Sequence, residues 1–367
     1  MKAARVVLAV AVCFLAGCNS TSKVSPPQNA IRSYNGTASV GDFLTISIDS
    51  TAMTITYKNY TNGETGTVPY TVNSDGTYTI TDPNGNLLSA YEVPGSALMV
   101  EAANAGPGKN TDALITAIEN APASINTFAG QNFNYIQFRT TSGGIELGTV
   151  SVDAQGDITH AGYWPFGVVN QSGMFNSGSF PASSITEDAS GDFFTINGSN
   201  GSSSTVFGTQ NGLWAVDTGN GTILGLPKAS AKSFSAAVAG TYTAMFYEKL
   251  NAQMGEGNVE SGTPQEGTAT VTVSSSGAVT ITDSQNNTMA SGTLAAIADT
   301  PYIYNGSANE MPDPLWGMFT FRTTTSNSQQ DLFVTFQGNA VIFSSFSAAL
   351  PIVQNETYTY FYGVGLK

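Results

Sequence analysis

From Gly36 onward the chain alternates between apolar and polar positions. Thr54 and Thr56 separate Met53, Ile55 and Tyr57. Tyr78 and Ile80 stand between Thr77, Thr79 and Thr81, and Ala269, Val271 and Val273 interleave with Thr268, Thr270 and Thr272. A period of two puts apolar groups on one face and threonines on the other, which is the signature of a half-buried antiparallel strand. Roughly twenty such segments can be marked, each with uncertain ends. Turn formers such as Ser74-Asp75-Gly76, Pro83-Asn84-Gly85 and Asn211-Gly212 separate them; Asn and Gly tolerate the positive φ that tight hairpins demand. One stretch departs from the rule. Over Thr111–Asn120 the residues Leu114, Ile115 and Ile118 recur at helical spacing, with Asn110 placed to cap and Pro122 to stop, so one short helix is expected there. The predicted fold is all-β: antiparallel meander sheets forming barrel- or sandwich-like lobes, two in number, with that one helix.

The first residues follow a different pattern. Lys2 and Arg5 precede an apolar run from Val6 to Leu15, too short to span a bilayer and the size of a signal-peptide core. Leu15-Ala16-Gly17-Cys18 resembles the lipobox of bacterial lipoproteins. The resemblance implies that residues 1–17 are a signal peptide and that Cys18 is lipidated, palmitate included, as the first residue of the mature chain. Asn19 stands where an aspartate tends to hold such proteins at the inner membrane, so the outer membrane of the cell envelope is favoured. The competing reading is an ordinary signal peptide that contains a cysteine. Residues 18–35, polar and carrying Pro26-Pro27, read as a lipid-anchored flexible tether. Acyl chains contribute about 0.8 kcal/mol per buried CH₂, so the body needs no membrane-binding face of its own. Threonine-lined, short strands also speak against a transmembrane barrel with strands of ~10 residues.

A recurrence suggests how the body divides. Gly66-Thr67 leads through Val72 and Gly76 to Thr79-Ile80-Thr81-Asp82, and Gly267-Thr268 leads through Val273 and Gly277 to Thr280-Ile281-Thr282-Asp283. Phe138-Arg139-Thr140-Thr141 returns as Phe321-Arg322-Thr323-Thr324. Gly36-Thr37 and Gly240-Thr241 precede the two sets. The shared order predicts a β lobe over 36–227, a linker over 228–239 and a second β lobe over 240–367, as an internal repeat; chance likeness among Thr/Gly-rich hairpins is the alternative. Arg139 and Arg322 then occupy matching places. An arginine on a strand with few charged neighbours requires a carboxylate or carbonyl partner, and a structural role is expected for both.

Charge and composition narrow the functional classes. The 367 residues carry 26 acidic and 12 basic side chains, for a formal net charge of −14. Two of the basic groups, Lys2 and Arg5, lie in the leader. Such a chain repels nucleic acid and anionic surfaces, so no nucleic-acid partner is expected. Cys13 and Cys18 both belong to the leader and its lipobox, leaving no thiol for a disulfide, a nucleophile or a metal site. His160 is the one histidine. No Gly-x-Ser-x-Gly elbow accompanies it, and it does not make a zinc site alone; no metal and no cofactor are expected. Glu310 and Asp313 flank a Pro-rich turn, and Glu248, Glu256, Glu260 and Glu266 border or occupy a long polar loop, in neither case with diagnostic glycosidase spacing. Asp82–Asn86 and Asp217–Gly221 supply oxygens without the full calcium-loop pattern. His160, Tyr163, Trp164 and Trp316 lie near Pro and Phe in what read as a strand end and loops, where such aromatics either stack on a sugar or apolar ligand or plug a core.

These features point to a lipid-anchored envelope protein with a non-catalytic binding or interaction role. Its candidate partners are the membrane, through acyl chains on Cys18, and an envelope glycan, a small apolar molecule or a protein. An envelope hydrolase acting on glycans through acidic residues is the alternative. A lipid-anchored pair of β lobes resembles in architecture the transferrin-binding-protein-like surface lipoproteins. The Gly-rich barrel signature of that family is absent, so no residue and no iron-protein partner carries over.

Overall fold

A computed structural model describes residues 31–94, 96–105, 111–119, 124–139, 145–166, 183–188, 193–208, 212–219, 221–229, 233–254, 260–296, 303–304, 307–308, 317–349 and 358–367. They form three barrel-like bodies in chain order. The first is β1 (Ile31–Ala38), β2 (Phe43–Asp49), β3 (Thr54–Asn59), β4 (Thr65–Val72), β5 (Tyr78–Thr81), β6 (Leu87–Val93), β7 (Ala97–Ala105) and β8 (Thr111–Glu119). Each strand pairs with the next, and β8 returns to β1 with Tyr34 opposite Glu119 and Ala38 opposite Ile115, closing the ring. The second is β9 (Asn132–Arg139), β10 (Ile145–Val152), β11 (Asp157–Phe166), β12 (Ser183–Glu187), β13 (Phe194–Gly198), β14 (Ser203–Gly208), β15 (Trp214–Asp217) and β16 (Gly221–Pro227), closed by β16 against β9.

The third body opens with a long hairpin, β17 (Gly240–Met254) and β18 (Glu260–Val273), followed by β19 (Ala278–Asp283), β20 (Thr288–Thr293) and β21 (Ala295–Ala296). A short pair, β22 (Ile303–Tyr304) and β23 (Ser307–Ala308), stands apart. The chain then returns through β24 (Met318–Thr324), β25 (Ser328–Gln337), β26 (Ala340–Ala349) and β27 (Tyr358–Leu366). The sheet runs β20-β19-β18-β17-β27-β26-β25-β24-β21. Its ends are β20 and β21: β21 pairs with β24 over two residues, Ala295 with Thr320 and Ala296 with Phe319, while β20 comes beside β24 without a ladder. Side chains cross this seam instead: Gln330 Nε2 donates to the carbonyl of Met289 at 2.8 Å, and the ring of Phe321 lies over Gly292.

The all-β, antiparallel fold is as expected, but the helix is not there. Thr111–Glu119 is strand β8. Ala113, Ile115 and Ala117 belong to the interior of the first barrel, while Leu114 and Ile118 belong to a core outside it. A strand buried on both faces loses its period of two, and its apolar run imitates a helix. The described residues contain only two short 3₁₀ turns, Ile125–Thr127 and Ala236–Val238. Strand β1 starts at Ile31, inside the stretch read as tether. The two closed barrels span 31–227, where a single lobe over 36–227 was expected. In 228–239, the intended linker, Phe234 docks edge-on against Phe319, with ring centroids 5.6 Å apart.

The topology also separates the recurring segments. Asp82 closes the turn between the fifth and sixth strands of its barrel, and Asp283 closes the turn after the third strand of its own. Both carboxylates accept the same set of bonds: Asp82 from the amide N of Asn84 and Asn86, Asp283 from the amide N of Gln285 and Asn287. The likeness reports shared turn chemistry. Arg139 ends the first strand of the second barrel, whereas Arg322 sits on β24, the late return strand of the third. Phe138 faces a core between barrels and Phe321 the inside of the third, so the two tetrapeptides are not equivalent.

Each barrel has its own interior, and a fourth core joins all three. Outer-wall residues meet there: Phe43, Met99, Leu114 and Ile118 from the first barrel, Ile136, Phe138, Leu147 and Phe207 from the second, and Met245, Tyr247, Phe333, Tyr360 and Tyr362 from the third. Phe43 lies 5.1 Å from Phe207. Phe138 stacks on Tyr362 at 4.6 Å and meets Tyr247 edge-on at 5.0 Å.

Candidate ligand-binding site

The first barrel is a cup. Its floor is built on alternating inward positions, Arg32 and Tyr34 on β1 and Ala90 and Glu92 on β6. Arg32 and Glu92 form a two-point ion pair, Nε to Oε1 at 2.5 Å and Nη2 to Oε2 at 2.7 Å, with both side chains almost wholly buried. The Tyr34 hydroxyl donates to Oε1, and Tyr78 donates to Oε2 at 2.5 Å. Burial, reinforced by the charge of Glu92, holds the Tyr34 phenol far above its ordinary pKa. Burial followed by the hydrogen bond to Glu92 does the same for Tyr78. Four polar side chains thus satisfy one another and seal the end of the barrel.

Above the floor the barrel encloses a cavity of about 510 Å³, within the range of roughly 300–1,000 Å³ usual for ligand pockets. Leu44, Ile46, Ile55, Val68, Ile80, Val100 and Ile115 form apolar walls. The other end is acidic and amide-rich: Asp42, Asn59, Asn62, Glu64, Asp82 and Glu101 line it. These side chains come from the turns after β1, β3 and β5, from the end of β3 and from β7. Asn59 Nδ2 donates to Asp42 at 2.8 Å, and the hydroxyl of Tyr57 donates to Glu64 at 3.4 Å. The β6–β7 ladder runs from Val93/Ala97 to Ala90/Val100. One residue further, the Ser89 amide N donates instead to the Glu101 carboxylate at 2.6 Å.

Asp217, on β15 of the second barrel, faces the same neighbourhood. Burial pushes its carboxyl up to about 6, and the charge of Asp42 adds to the rise, against one hydrogen bond from the Gly219 amide N. A carboxyl that holds its proton to higher pH in the fold than in the unfolded chain weakens the fold as pH rises from about 3.8 to about 6. Asp217→Asn should therefore stabilise the protein above pH 6 and leave it unchanged below that window. Each unit of displacement is worth about 1.4 kcal/mol. Urea midpoints of both proteins across this pH range are the check, and parallel curves would refute the assignment.

Of the residues singled out from the sequence, Asp82 and Asn84 line the cup, and the aromatic and histidine candidates lie elsewhere. His160, Tyr163 and Trp164 all fall within β11, where they pair with Ser151, Gly148 and Leu147 of β10; the backbone there is strand, not loop. Trp316, Glu256, Glu310, Asp313 and Cys18 lie outside the described residues, as does the backbone beyond Arg139 up to residue 144. Glu248 and Glu266 sit on the paired strands β17 and β18 and not in a loop, and Glu260 begins β18. The polar loop was misread because a long hairpin with polar residues on both strands shows no alternation. Arg322 pairs with Asp331 through two bonds of 2.6 and 2.9 Å, with its side chain more than half exposed. Among the described residues, no group of three or more His, Cys, Asp or Glu is placed to hold a metal ion.

No family model matches the chain, and no curated protein matches it in sequence. Several solved structures are similar. One is a double mutant of the vaccine antigen transferrin-binding protein B from Haemophilus parasuis Hp5, over 92% of this chain and 76% of that one, at 9% identity and a TM-score of 0.20. Another is intact Ap-TbpB with its N and C lobes, over 92% and 77%, at 10% identity and a TM-score of 0.18. A third is a protein of unknown function of the DUF3598 family from Nostoc punctiforme PCC 73102, over 67% and 99%, at 8% identity and a TM-score of 0.23. At these TM-scores no residue, ligand or activity carries over from them to this chain.

Proposed function

We propose that this is a lipid-anchored protein of the bacterial cell envelope, with the outer membrane favoured, whose first barrel binds a small amphiphile without catalysis. The observation that carries the binding role is the cup: a sealed floor, apolar walls and an acidic, amide-rich end. Apolar walls favour a hydrocarbon body by about 25 cal/mol per Å² of surface removed from water. The carboxylates of Glu64 and Asp82 favour a cationic or hydrogen-donating head and oppose an anionic one. The anchor rests on the Leu15–Cys18 tetrapeptide; labelled palmitate should enter the wild type and not Cys18→Ser.

Displacement of N-phenyl-1-naphthylamine tests the binding role. Decylamine should compete at least about tenfold better than decanoate, a difference of about 1.4 kcal/mol. Ala102→Phe, which adds a ring to the cavity wall on β7, should abolish probe binding while leaving the far-UV circular dichroism spectrum unchanged. Equal competition by amine and carboxylate would remove the head-group reading. Full probe binding by Ala102→Phe would remove the cup as the site.

A further inference from the structure

We infer that the tip of the β5–β6 hairpin, Thr81–Ser89, is a flap over the acidic end of the cup, latched by Glu101 and opened for a ligand to pass. The inference rests on the cup as the binding site. The ladders that hold this hairpin in the barrel stop short of its tip. On one side the β4–β5 pairing ends at Tyr70/Ile80. The next residue of β4, Pro69, has no amide N–H to carry it further, and Thr65–Pro69 pair with β3. On the other side the β6–β7 pairing ends at Ala90/Val100. Past these points the hairpin is laddered to itself, Ile80 to Leu88 and Thr81 to Leu87. The tip therefore projects beyond the closed ring.

The inner side of this tip closes over the cavity: Asp82, Pro83, Asn84 and Leu88 line it, while Leu87 on the outer side is 71% exposed. The turn is built to move as a unit. The Asp82 carboxylate accepts from the amide N of Asn84 and of Asn86 and from Asn86 Nδ2, at 2.7–2.8 Å. A two-stranded hairpin without further pairing is marginally stable, so what ties the tip down sets how often it lifts. Ser89 supplies a tie. Where a ladder bond to β7 would continue, its amide N donates to the Glu101 carboxylate at 2.6 Å, and Glu101 is itself 8% exposed. A single bond to a buried carboxylate is stronger than a neutral one, yet it breaks without parting any strand of the ring. Closure of this kind, local and reversible, is how loops admit a ligand and then exclude water.

Ser89→Pro tests the latch, because it removes the donor and leaves the Glu101 carboxylate in place. The Ser89 N–H points to β7, so the bonds between β5 and β6 survive the change. Two readouts on the full chain decide it: deuterium exchange of the peptide 81–88 without ligand, and the stopped-flow association and dissociation rates of N-phenyl-1-naphthylamine. In Ser89→Pro the peptide should exchange about tenfold faster than in wild type, with β1 and β2 unchanged. Both probe rates should rise by one common factor, which cancels in Kd, because a gate serves entry and exit alike. Ser89→Ala keeps the amide N–H and should match wild type throughout. Should Ser89→Pro fail to fold, Glu101→Ala removes the acceptor instead and should give the same faster exchange. Unchanged exchange in the latch variant would overturn the flap. A rise in the dissociation rate alone would also overturn it, since Ser89 would then act on the bound state and not on passage. Faster exchange in a chain that binds no probe would support the flap and remove the cup as the binding site.

Discussion

Glu92→Ala should lower the stability of the protein by about 3–5 kcal/mol, the cost of removing one partner from a buried ion pair. The carboxylate is fully buried and takes four bonds, two from Arg32 and one each from Tyr34 and Tyr78. Alanine withdraws all four acceptor contacts at once and leaves the buried Arg32 charge without its carboxylate, and the Tyr34 and Tyr78 hydroxyls without their acceptor. Glu92→Gln keeps the volume and loses the charge, so it should fall between wild type and alanine. The informative variant replaces the whole cluster, Arg32→Met and Glu92→Leu together with Tyr34→Phe and Tyr78→Phe, because the two hydroxyls would otherwise lose their acceptor. Apolar groups of similar size remove the desolvation cost together with the attraction, and such exchanges are often neutral or stabilising. Urea denaturation followed by far-UV circular dichroism gives the order: wild type, Gln, Ala, with the fourfold variant near wild type. An alanine variant as stable as wild type would mean that water reaches the floor.

Phe138→Ala should cost about as much, roughly 3–5 kcal/mol for a buried phenylalanine, and for a different reason. Phe138 is fully buried, yet it lies on the outer wall of its barrel. It is held by Tyr247, Tyr360 and Tyr362 of the third barrel, at centroid distances of 5.0, 5.5 and 4.6 Å. Its loss should destabilise the second and third barrels together, read as a common downward shift in the unfolding of tyrosine and tryptophan signals. Phe194→Ala makes the comparison, because Phe194 is buried inside the second barrel alone. If Phe138→Ala weakened the second barrel only, the four-core description would be wrong.

The sequence made the strands legible and their assembly much less so. Alternation at Ile55 and Tyr57, at Tyr78 and Ile80, and at Val271 and Val273 marked real inward faces. The same rule failed at β8, where both faces are buried and no polar position interrupts the run. The division into three was hidden because 120–131 shows no shift in composition against the hairpins around it. The cup was hidden more deeply. Its walls, Leu44, Ile46 and Val68, are ordinary alternating apolar positions, and nothing in a sequence tells a wall around a cavity from a wall around a filled core. Its floor did carry a signal. Arg32 shares the inward parity of Tyr34 and Ala38, and Glu92 that of Leu88 and Ala90. Two opposite charges at inward positions of one barrel can be buried only as a pair. The recurring tetrapeptides at Arg139 and Arg322 stand out in the sequence, whereas a parity shared by two distant strands does not.

The seam in the third barrel separates it from the first in how it exchanges with solvent. A ring closed by a full ladder has no terminal strand, so its amides open only when several strands part at once. β20 itself has a ladder on one side and side chains on the other, Gln330 reaching Met289 and Phe321 covering Gly292, and the ladder to β24 resumes only over the two residues of β21. Fraying can start there and run inward through β19, strand by strand, at a free energy below that of global unfolding. The third barrel therefore has a defined first step of opening, whereas the ring of the first barrel, laddered over at least three pairs between all neighbouring strands, exchanges only through larger excursions.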